Sequence, residues 1–151
     1  MFSQIEINVT GCCTRTCSFC PRGNENTWFN ISIMIKIVHE LRDYNGLITF
    51  SGRGEPLLHV NLPSLIGYAK TTKATVEVIT NGDLLDDKKV KGLERAGLDR
   101  LLISVYEEEK MDTFKDLTAK SNIVIILRER WHDRTFNNRG GAMNPLAVSL
   151  D

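Results

Sequence analysis

The chain has 151 residues, of which 42% are hydrophobic and 25% charged, and these amounts are typical of one folded domain of ordinary size. Its 19 basic and 19 acidic residues balance to a formal net charge of zero, so its overall field favours neither nucleic acid nor an anionic membrane as a partner. No apolar run approaches the length of a membrane span, and the N-terminus lacks the pattern of a signal peptide, so we expect a cytoplasmic protein.

Hydrophobic spacing predicts five strands that alternate with four helices. In chain order these are strand 4–9, helix 31–44, strand 47–50, helix 63–72, strand 75–80, helix 86–97, strand 98–106, helix 107–119 and strand 123–127. Asn30 or Ser32 is the expected cap of the first helix, Pro63 suits the first turn of the second, and Gly97 suits the end of the third. The continuous apolar run IVIIL predicts that the last strand is covered on both faces.

Regular alternation of strand and helix predicts an α/β fold with a parallel sheet and right-handed crossovers. In such folds ligands bind beyond the carboxyl ends of the strands. The least ordinary segments of the sequence fall at these ends: a cysteine-rich segment, SGRGEP, TNG, Ser104 and the charged residues 128–130. We therefore expect these segments to meet on one rim of the sheet.

All four cysteines lie in the segment CCTRTCSFC, between Cys12 and Cys20. A disulfide scaffold would distribute its cysteines across the fold and belongs to an oxidising compartment. A zinc site would need a second, separated ligand pair, whereas the three histidines, His39, His59 and His132, are scattered singly. An iron–sulfur cluster is the remaining interpretation.

Two registers of cysteine compete for this cluster. Cys12-x4-Cys17-x2-Cys20 is the plant-type ferredoxin spacing, but it requires a distant fourth cysteine that the chain lacks. Cys13-x3-Cys17-x2-Cys20 supplies three thiolates to a cubane and leaves one iron open to a small molecule. We favour the second register, in which Cys12 is spare and acts as a small packing residue.

The segment CTRTCSFC, with Phe19 just before the last cysteine, resembles the signature of the radical S-adenosylmethionine (radical SAM) superfamily. The resemblance implies that Cys13, Cys17 and Cys20 hold a [4Fe–4S] cluster whose open iron chelates SAM. It also implies an external one-electron reductant, similar to flavodoxin or ferredoxin. Reductive cleavage of SAM would then give a 5′-deoxyadenosyl radical that abstracts hydrogen from a substrate.

The resemblance assigns further SAM contacts to six residues: Phe19, Gly54, Glu55, Asn81, Ser104 and Arg128. Within SGRGEP, Gly54 and Glu55 resemble the family's GGE motif, which meets the SAM amino group, and Arg53 stands where the first glycine is usual. Glycines here would also serve a plain turn.

The remaining assignments compete with structural explanations. Asn81 would line the SAM pocket, although Asn-Gly is also a common turn. Ser104 would reach the ribose, or simply be a small strand residue. Arg128 would pair with the SAM carboxylate, or with Glu129. Phe19 would pack near the adenine, or in the core.

The chain also departs from the family pattern. Five strands make an abbreviated partial (β/α) barrel, in which residues 1–130 form the core and 131–151 a tail. The fifth strand exposes a sheet edge, which we expect the tail or a second subunit in a homodimer to cover. The segment FNNRGGAMNP resembles the linker of radical SAM proteins with a cysteine-rich C-terminal extension, but the extension's cysteines are absent. A flexible polar tail explains this segment equally well.

The function expected from the resemblance is that of a radical SAM enzyme acting on an unidentified peptide, protein or small molecule. Two alternatives remain from the sequence. One is an iron–sulfur electron-transfer or sensor protein that does not cleave SAM. The other is a truncated member that acts as a partner subunit of a complete enzyme.

Overall fold

Strands and helices follow one another in the predicted order. The computed structural model describes residues 2–17, 19–20 and 25–131. Its elements are β1 (Gln4–Asn8), α1 (Ile31–Glu40), β2 (Leu47–Ser51), a short 3₁₀ helix (Pro56–Leu58), α2 (Leu62–Ala69), β3 (Thr75–Thr80), α3 (Asp87–Arg95), β4 (Arg100–Val105), α4 (Lys110–Thr118) and β5 (Val124–Glu129). The predicted tail, with its RGG segment, lies outside the described residues except for Trp131. No described helix has the length and apolar character that a bilayer span requires.

The five strands form one parallel sheet, and each lies beside its neighbours in sequence, in the order β1-β2-β3-β4-β5. The carboxyl ends of all five strands therefore share one edge, as the alternating pattern predicts. Because the described sheet does not close on itself, β1 and β5 are its two edge strands.

All four helices pack on the same face of this sheet. One apolar cluster joins helix residues such as Met34, Leu65 and Phe114 to the strand residues Val78 and Ile103. Side chains alternate between the two faces of a strand, so the residues between these core positions face the other way. We call this other side the open face.

The open face carries a row of polar side chains. Glu6 is paired with Thr49, Thr49 with Glu77, and Glu77 with Arg100 in the parallel register of the first four strands. Glu77 is only 4% exposed; it forms an ion pair with Arg100 at 3.1 Å and accepts a hydrogen bond from Thr49. A charged row of this kind marks a surface that contacts polar groups, not a second apolar core.

The prediction that strand 123–127 is covered on both faces is wrong for the described chain. Ile125 and Leu127 pack against the core, but Val124 is 59% exposed. The helices cover only one face, and an apolar run cannot by itself specify which face is covered. Within the described residues β5 is an edge strand, as predicted, while its covering by the tail or by a homodimer stays a prediction.

Helix ends differ from the predictions where side chains make other contacts. Asn30 caps α1 through its side chain, as predicted. This helix ends before residue 44 because Tyr44 turns into the core, where its hydroxyl donates to the Leu47 carbonyl at 3.3 Å. The fourth helix begins at Lys110 and not at 107, since the Glu107 side chain is paired with the cysteine-rich loop.

The turn after β3 gives a test of the fold. Gly82 has a φ of 79°, and a Cβ there would lie 2.5 Å from Cζ of Phe114. We expect Gly82→Ala to lower the free energy of unfolding by more than about 1 kcal/mol in urea denaturation of the metal-free protein. The matched control is Gly67→Ala in α2, where a Cβ meets nothing within 4 Å; it should raise stability by about 0.5–1 kcal/mol. Equal shifts in the two variants would contradict this turn geometry.

Candidate functional site

A cavity of about 430 Å³ lies at the open face and extends to the carboxyl ends of the strands. Its volume falls in the range of small-molecule sites, about 300–1,000 Å³. All nine residues selected from the sequence line it: Cys13, Cys17, Phe19, Cys20, Gly54, Glu55, Asn81, Ser104 and Arg128. Segments that are far apart in the sequence, from Cys13 to Arg128, are thus brought to one place by the parallel order of the sheet.

The cysteine-rich loop has a short, closed stem. The Phe29 amide donates to the Val9 carbonyl at 2.9 Å, and the Gly11 amide donates to the Thr27 carbonyl at 3.1 Å. A Cβ at Gly11 would lie 2.4 Å from the Glu25 carbonyl oxygen, so only glycine fits this crossing. The stem fixes where the loop leaves β1 and where it returns towards α1.

The first cysteine of the loop is directed away from the other three. Cys12 Sγ lies 3.5 Å from Asn26 Oδ1 and does not line the cavity, whereas Cys13, Cys17 and Cys20 do. All four cysteines are free thiols. This arrangement favours the register that begins at Cys13. The packing role of Cys12 stays a prediction, since this residue is only partly buried and its sulfur contacts polar oxygens.

The thiol of Cys17 is held in a partly buried, hydrogen-bonded environment. Burial raises its pKa, and the neighbouring Cys20 and Cys13 add to the effect, while Arg15 and a hydrogen bond from Tyr106 oppose it. Burial also raises the pKa of the Tyr106 hydroxyl to about 12, so this hydroxyl stays protonated and able to donate. Metal binding at Cys17 must therefore displace a proton from the thiol.

Glu55 is the most buried charged residue of the site, at 2% exposure. Its Oε1 accepts from the Leu57 amide at 3.0 Å and from Thr80 Oγ1 at 2.6 Å, and its Oε2 accepts from the Asn81 amide at 2.9 Å. Burial raises its pKa although these three donors lower it. The carboxylate thus joins the loop after β2 to the end of β3, and its contact with the SAM amino group stays a prediction.

Gly54, directly before Glu55, is required by close packing. A Cβ at Gly54 would lie 2.1 Å from the Thr10 carbonyl oxygen and 2.5 Å from that of Cys12. The Glu55 amide donates to the same Cys12 carbonyl at 2.8 Å. The GE pair of SGRGEP therefore supports the start of the cysteine-rich loop directly, whatever it contacts on SAM.

The Asn81 side chain contacts the same loop. Its Nδ2 donates to Thr14 Oγ1 at 2.9 Å and lies 3.7 Å from Cys13 Sγ, while its Oδ1 accepts from the Asp83 amide at 3.0 Å. Asn81 is thus placed beside the Cys13 thiol as well as at the cavity wall. Its predicted SAM contact would be made from this position.

Ser104 and Arg128 are paired across β4 and β5 in the parallel register. Ser104 is 7% exposed, while Arg128 is exposed at the cavity rim. A hydroxyl beside a guanidinium can serve a ligand that carries both hydroxyl and carboxylate groups. Phe19 is half-buried at the cavity wall, and its place near an adenine stays a prediction.

Among the polar cavity residues that sequence reasoning missed is Ser51, although the segment that contains it was quoted. Ser51, the last residue of β2, is 3% exposed, and its hydroxyl has no hydrogen-bond partner among the described groups. A buried hydroxyl without a partner is costly unless a ligand satisfies it. Its position at a strand end, directly before the glycines, was the available signal.

The donor set fits the group that the sequence implies. Three thiols from one loop face one cavity, and a buried hydroxyl there lacks a partner. No three Cys, His, Asp or Glu side chains converge on a single ion within the described ranges. A cubane binds its thiolates on separate irons, so its ligands surround a volume and do not converge on a point.

Residues 7–122 match the family model of the radical SAM superfamily. The chain belongs to this superfamily. Enzymes of the family use a [4Fe–4S] cluster and SAM, so the resemblance and the cofactors that it implied are confirmed at the level of the family.

Individual relatives support the same family and fold. The chain is 27% identical to the S-adenosyl-L-methionine-dependent 2-deoxy-scyllo-inosamine dehydrogenase of Niallia circulans, across 95% of this chain and 62% of that protein. It is 34% identical to the GTP 3′,8-cyclase of Chlorobaculum tepidum, across 77% of this chain and 36% of the relative. The crystal structure of BtrN in complex with AdoMet and 2-DOIA superposes with a TM-score of 0.77 at 25% identity, covering 95% of this chain and 63% of BtrN. The predicted partial barrel is confirmed, and the chain spans less than two thirds of these relatives.

The buried carboxylate gives a test of how the site is held together. Glu55→Gln must place an amide NH₂ against at least one of the three donors, so we expect the free energy of unfolding of the metal-free protein to fall by about 1–3 kcal/mol. The control is Glu40→Gln at the end of α1, where the side chain is 84% exposed; its effect should stay within about 0.5 kcal/mol. Urea denaturation measures both. If Glu55→Gln unfolds at the same urea concentration as the wild type, the carboxylate does not hold these donors.

Proposed function

We propose that this radical SAM chain binds a [4Fe–4S] cluster through Cys13, Cys17 and Cys20 and uses it to generate a hydrogen-abstracting radical from SAM. One observation carries the proposal. The three thiols share a cavity with residues from the ends of the other four strands, and Cys12 is outside it. This observation supports the register that leaves one iron open.

The bound cofactors would supply reductive cleavage of SAM to methionine and a 5′-deoxyadenosyl radical, which takes a hydrogen atom from the substrate. The electron would come from an external reductant similar to flavodoxin or ferredoxin. The chain's own residues would ligate the cluster, and they would orient SAM and shield it from solvent. Tyr106 lines the cavity with Cys17, and its hydroxyl would donate to the sulfur and support the thiolate form.

Residues of the strand ends are proposed to bind SAM. Arg128 has the charge for the SAM carboxylate, and the hydroxyls of Ser51 and Ser104 suit ribose hydroxyls. The backbone at Gly54 and the amide of Asn81 lie beside the thiols and would meet the methionine part. Phe19 is proposed to contact the adenine face.

The substrate is proposed to be a hydrophilic small molecule. The cavity wall beyond the strand ends carries Gln4, Glu6, Glu77 and Arg100, which match hydroxyl and charged groups better than an apolar ligand. The Niallia relative is, by its name, a dehydrogenase of an amine-bearing cyclic alcohol. Such a substrate would find hydrogen-bond partners on this wall.

The cysteine register can be tested by substitution. After anaerobic reconstitution, Cys12→Ser should retain about four iron and four sulfide per chain, whereas serine at Cys13, Cys17 or Cys20 should remove most of the cluster. Iron and sulfide analysis with the visible absorption spectrum measures this. Loss of the cluster in Cys12→Ser with retention in Cys13→Ser would instead establish the other register.

The reaction can be tested with the reconstituted chain, SAM and dithionite. We expect 5′-deoxyadenosine, detected by chromatography and mass spectrometry, and none from Cys17→Ser. An intact cluster with neither cleavage nor calorimetric SAM binding would reject the proposal in favour of an electron-transfer or sensor protein. SAM binding with cleavage only when a full-length family member is added would identify a partner subunit.

A further inference from the structure

An arginine inside the cysteine-rich loop makes contacts for which the family motif gives no reason. Arg15 lies between Cys13 and Cys17, and its side chain is 18% exposed. Its Nε and Nη2 donate to the two oxygens of Asp83, with 2.7 Å for Nε. Its Nη1 and Nη2 donate to the two oxygens of Glu107, at 2.8 and 3.0 Å. Every guanidinium nitrogen is therefore engaged, in two bidentate pairs.

The two carboxylates come from two different loops of the rim. Asp83 follows β3, and Glu107 follows β4. Lys110, the first residue of α4, lies 3.6 Å from the Asp83 carboxylate and 3.3 Å from that of Glu107, so two cations and two anions balance. Thr14 adds a hydrogen bond to Asp83 at 3.0 Å. We call Arg15, Asp83, Glu107 and Lys110 the rim clamp.

The pKa shifts of Asp83 and Glu107 agree with this geometry. Hydrogen bonds from Arg15 lower the pKa of Glu107, and desolvation opposes them less strongly. Burial raises the pKa of Asp83, but the hydrogen bonds from Arg15 and Thr14 outweigh it, so the net shift is downward. Both carboxylates are thus ionised at neutral pH and need the cation between them.

A second set of contacts leads from the clamp to a cluster ligand. The Arg15 guanidinium lies over the Tyr106 ring, 4.7 Å from its centroid. The Tyr106 side chain lines the same cavity as Cys17. Moving the arginine would therefore free a ring that lies beside this cysteine.

We propose that Arg15 is a positioning residue, which fixes the cysteine-rich loop on the rim before the cluster binds and holds the Tyr106 hydroxyl where it can donate to Cys17. The proposal rests on the cluster ligation proposed above. A loop that is ordered in advance does not lose its conformational freedom on binding the cluster, so cluster assembly is easier. Net charge and hydrogen bonds near cluster sulfurs set the reduction potential, and without Arg15 the remaining clamp residues carry a net negative charge, so loss of this arginine makes the cluster harder to reduce.

The first test needs no cluster. In the metal-free protein we expect Arg15→Gln to make Cys13, Cys17 and Cys20 react with iodoacetamide about fivefold faster or more, followed by peptide mass spectrometry. Arg15→Lys should be nearly as fast, because lysine keeps the charge but cannot form two bidentate pairs. The matched control, Arg42→Gln, removes an arginine whose side chain is 78% exposed beside Asp43 and should react as wild type.

The second test uses the reconstituted protein. We expect Arg15→Gln and Tyr106→Phe both to shift the cluster midpoint potential to more negative values and to take up iron more slowly, with Arg42→Gln unchanged. A purely structural arginine would change stability without moving the potential. If Arg15→Gln does not fold, Asp83→Asn and Glu107→Gln each remove one arm of the clamp and should each raise the thiol reactivity of the metal-free protein by a smaller factor.

Two outcomes separate this inference from the proposed function. If wild-type protein binds no cluster, the proposed function fails, and with it the role of the clamp in setting a potential. If it binds a cluster while the folded clamp variants show wild-type thiol reactivity and wild-type potential, the positioning role of Arg15 is overturned and the function stands.

Discussion

One buried carboxylate holds the site together. Glu55 receives hydrogen bonds from the segment after it and from the end of β3, and its own amide holds the Cys12 carbonyl. Burying an ionised group costs several kcal/mol unless its oxygens are satisfied, and here three donors satisfy them. On burial the carboxylate loses its hydrogen bonds to water and gains hydrogen bonds to these donors. Because the donors belong to different loops, the new bonds fix the loops relative to each other. The cysteine-rich loop, the SGRGEP segment and the TNG turn therefore form one unit at the rim.

The second constraint is that the helices cover only one face of the sheet. In β2, β3 and β4, apolar residues at alternate positions pack against the helices on that face. Polar residues such as Thr49, Glu77 and Arg100 lie on the other face. A polar open face cannot pack as a core, but it can wall a cavity for hydrophilic ligands. One face of the sheet therefore stabilises the fold, and the other face borders the cavity. The nine residues selected from the sequence line this cavity.

The sequence was sufficient where a local pattern determines the structure. Hydrophobic periodicity predicted the order of strands and helices. The alternation of strand and helix predicted that the unusual segments meet on one rim, and the cysteine spacing predicted which thiols lie together there. It was insufficient where the answer depends on distant partners. Arg15 contacts residues 68 and 92 positions away, and nothing near it in sequence indicates either carboxylate. The exposure of Val124 was missed for a related reason, since the same apolar run suits a strand covered on both faces and an edge strand.

The positions of Cys12 and Cys13 show how a backbone contact can direct two adjacent thiols to different surroundings. The two residues are adjacent, and spacing alone permits either as the first ligand. The Cys12 carbonyl is fixed by the Glu55 amide, and the Gly54 backbone packs against the same carbonyl so closely that no Cβ fits there. Adjacent side chains leave the backbone in different directions, so fixing this peptide turns one thiol to Asn26 and the next into the cavity. The glycine and glutamate of SGRGEP therefore act on the cluster site through the backbone of the loop, in addition to any contact with SAM.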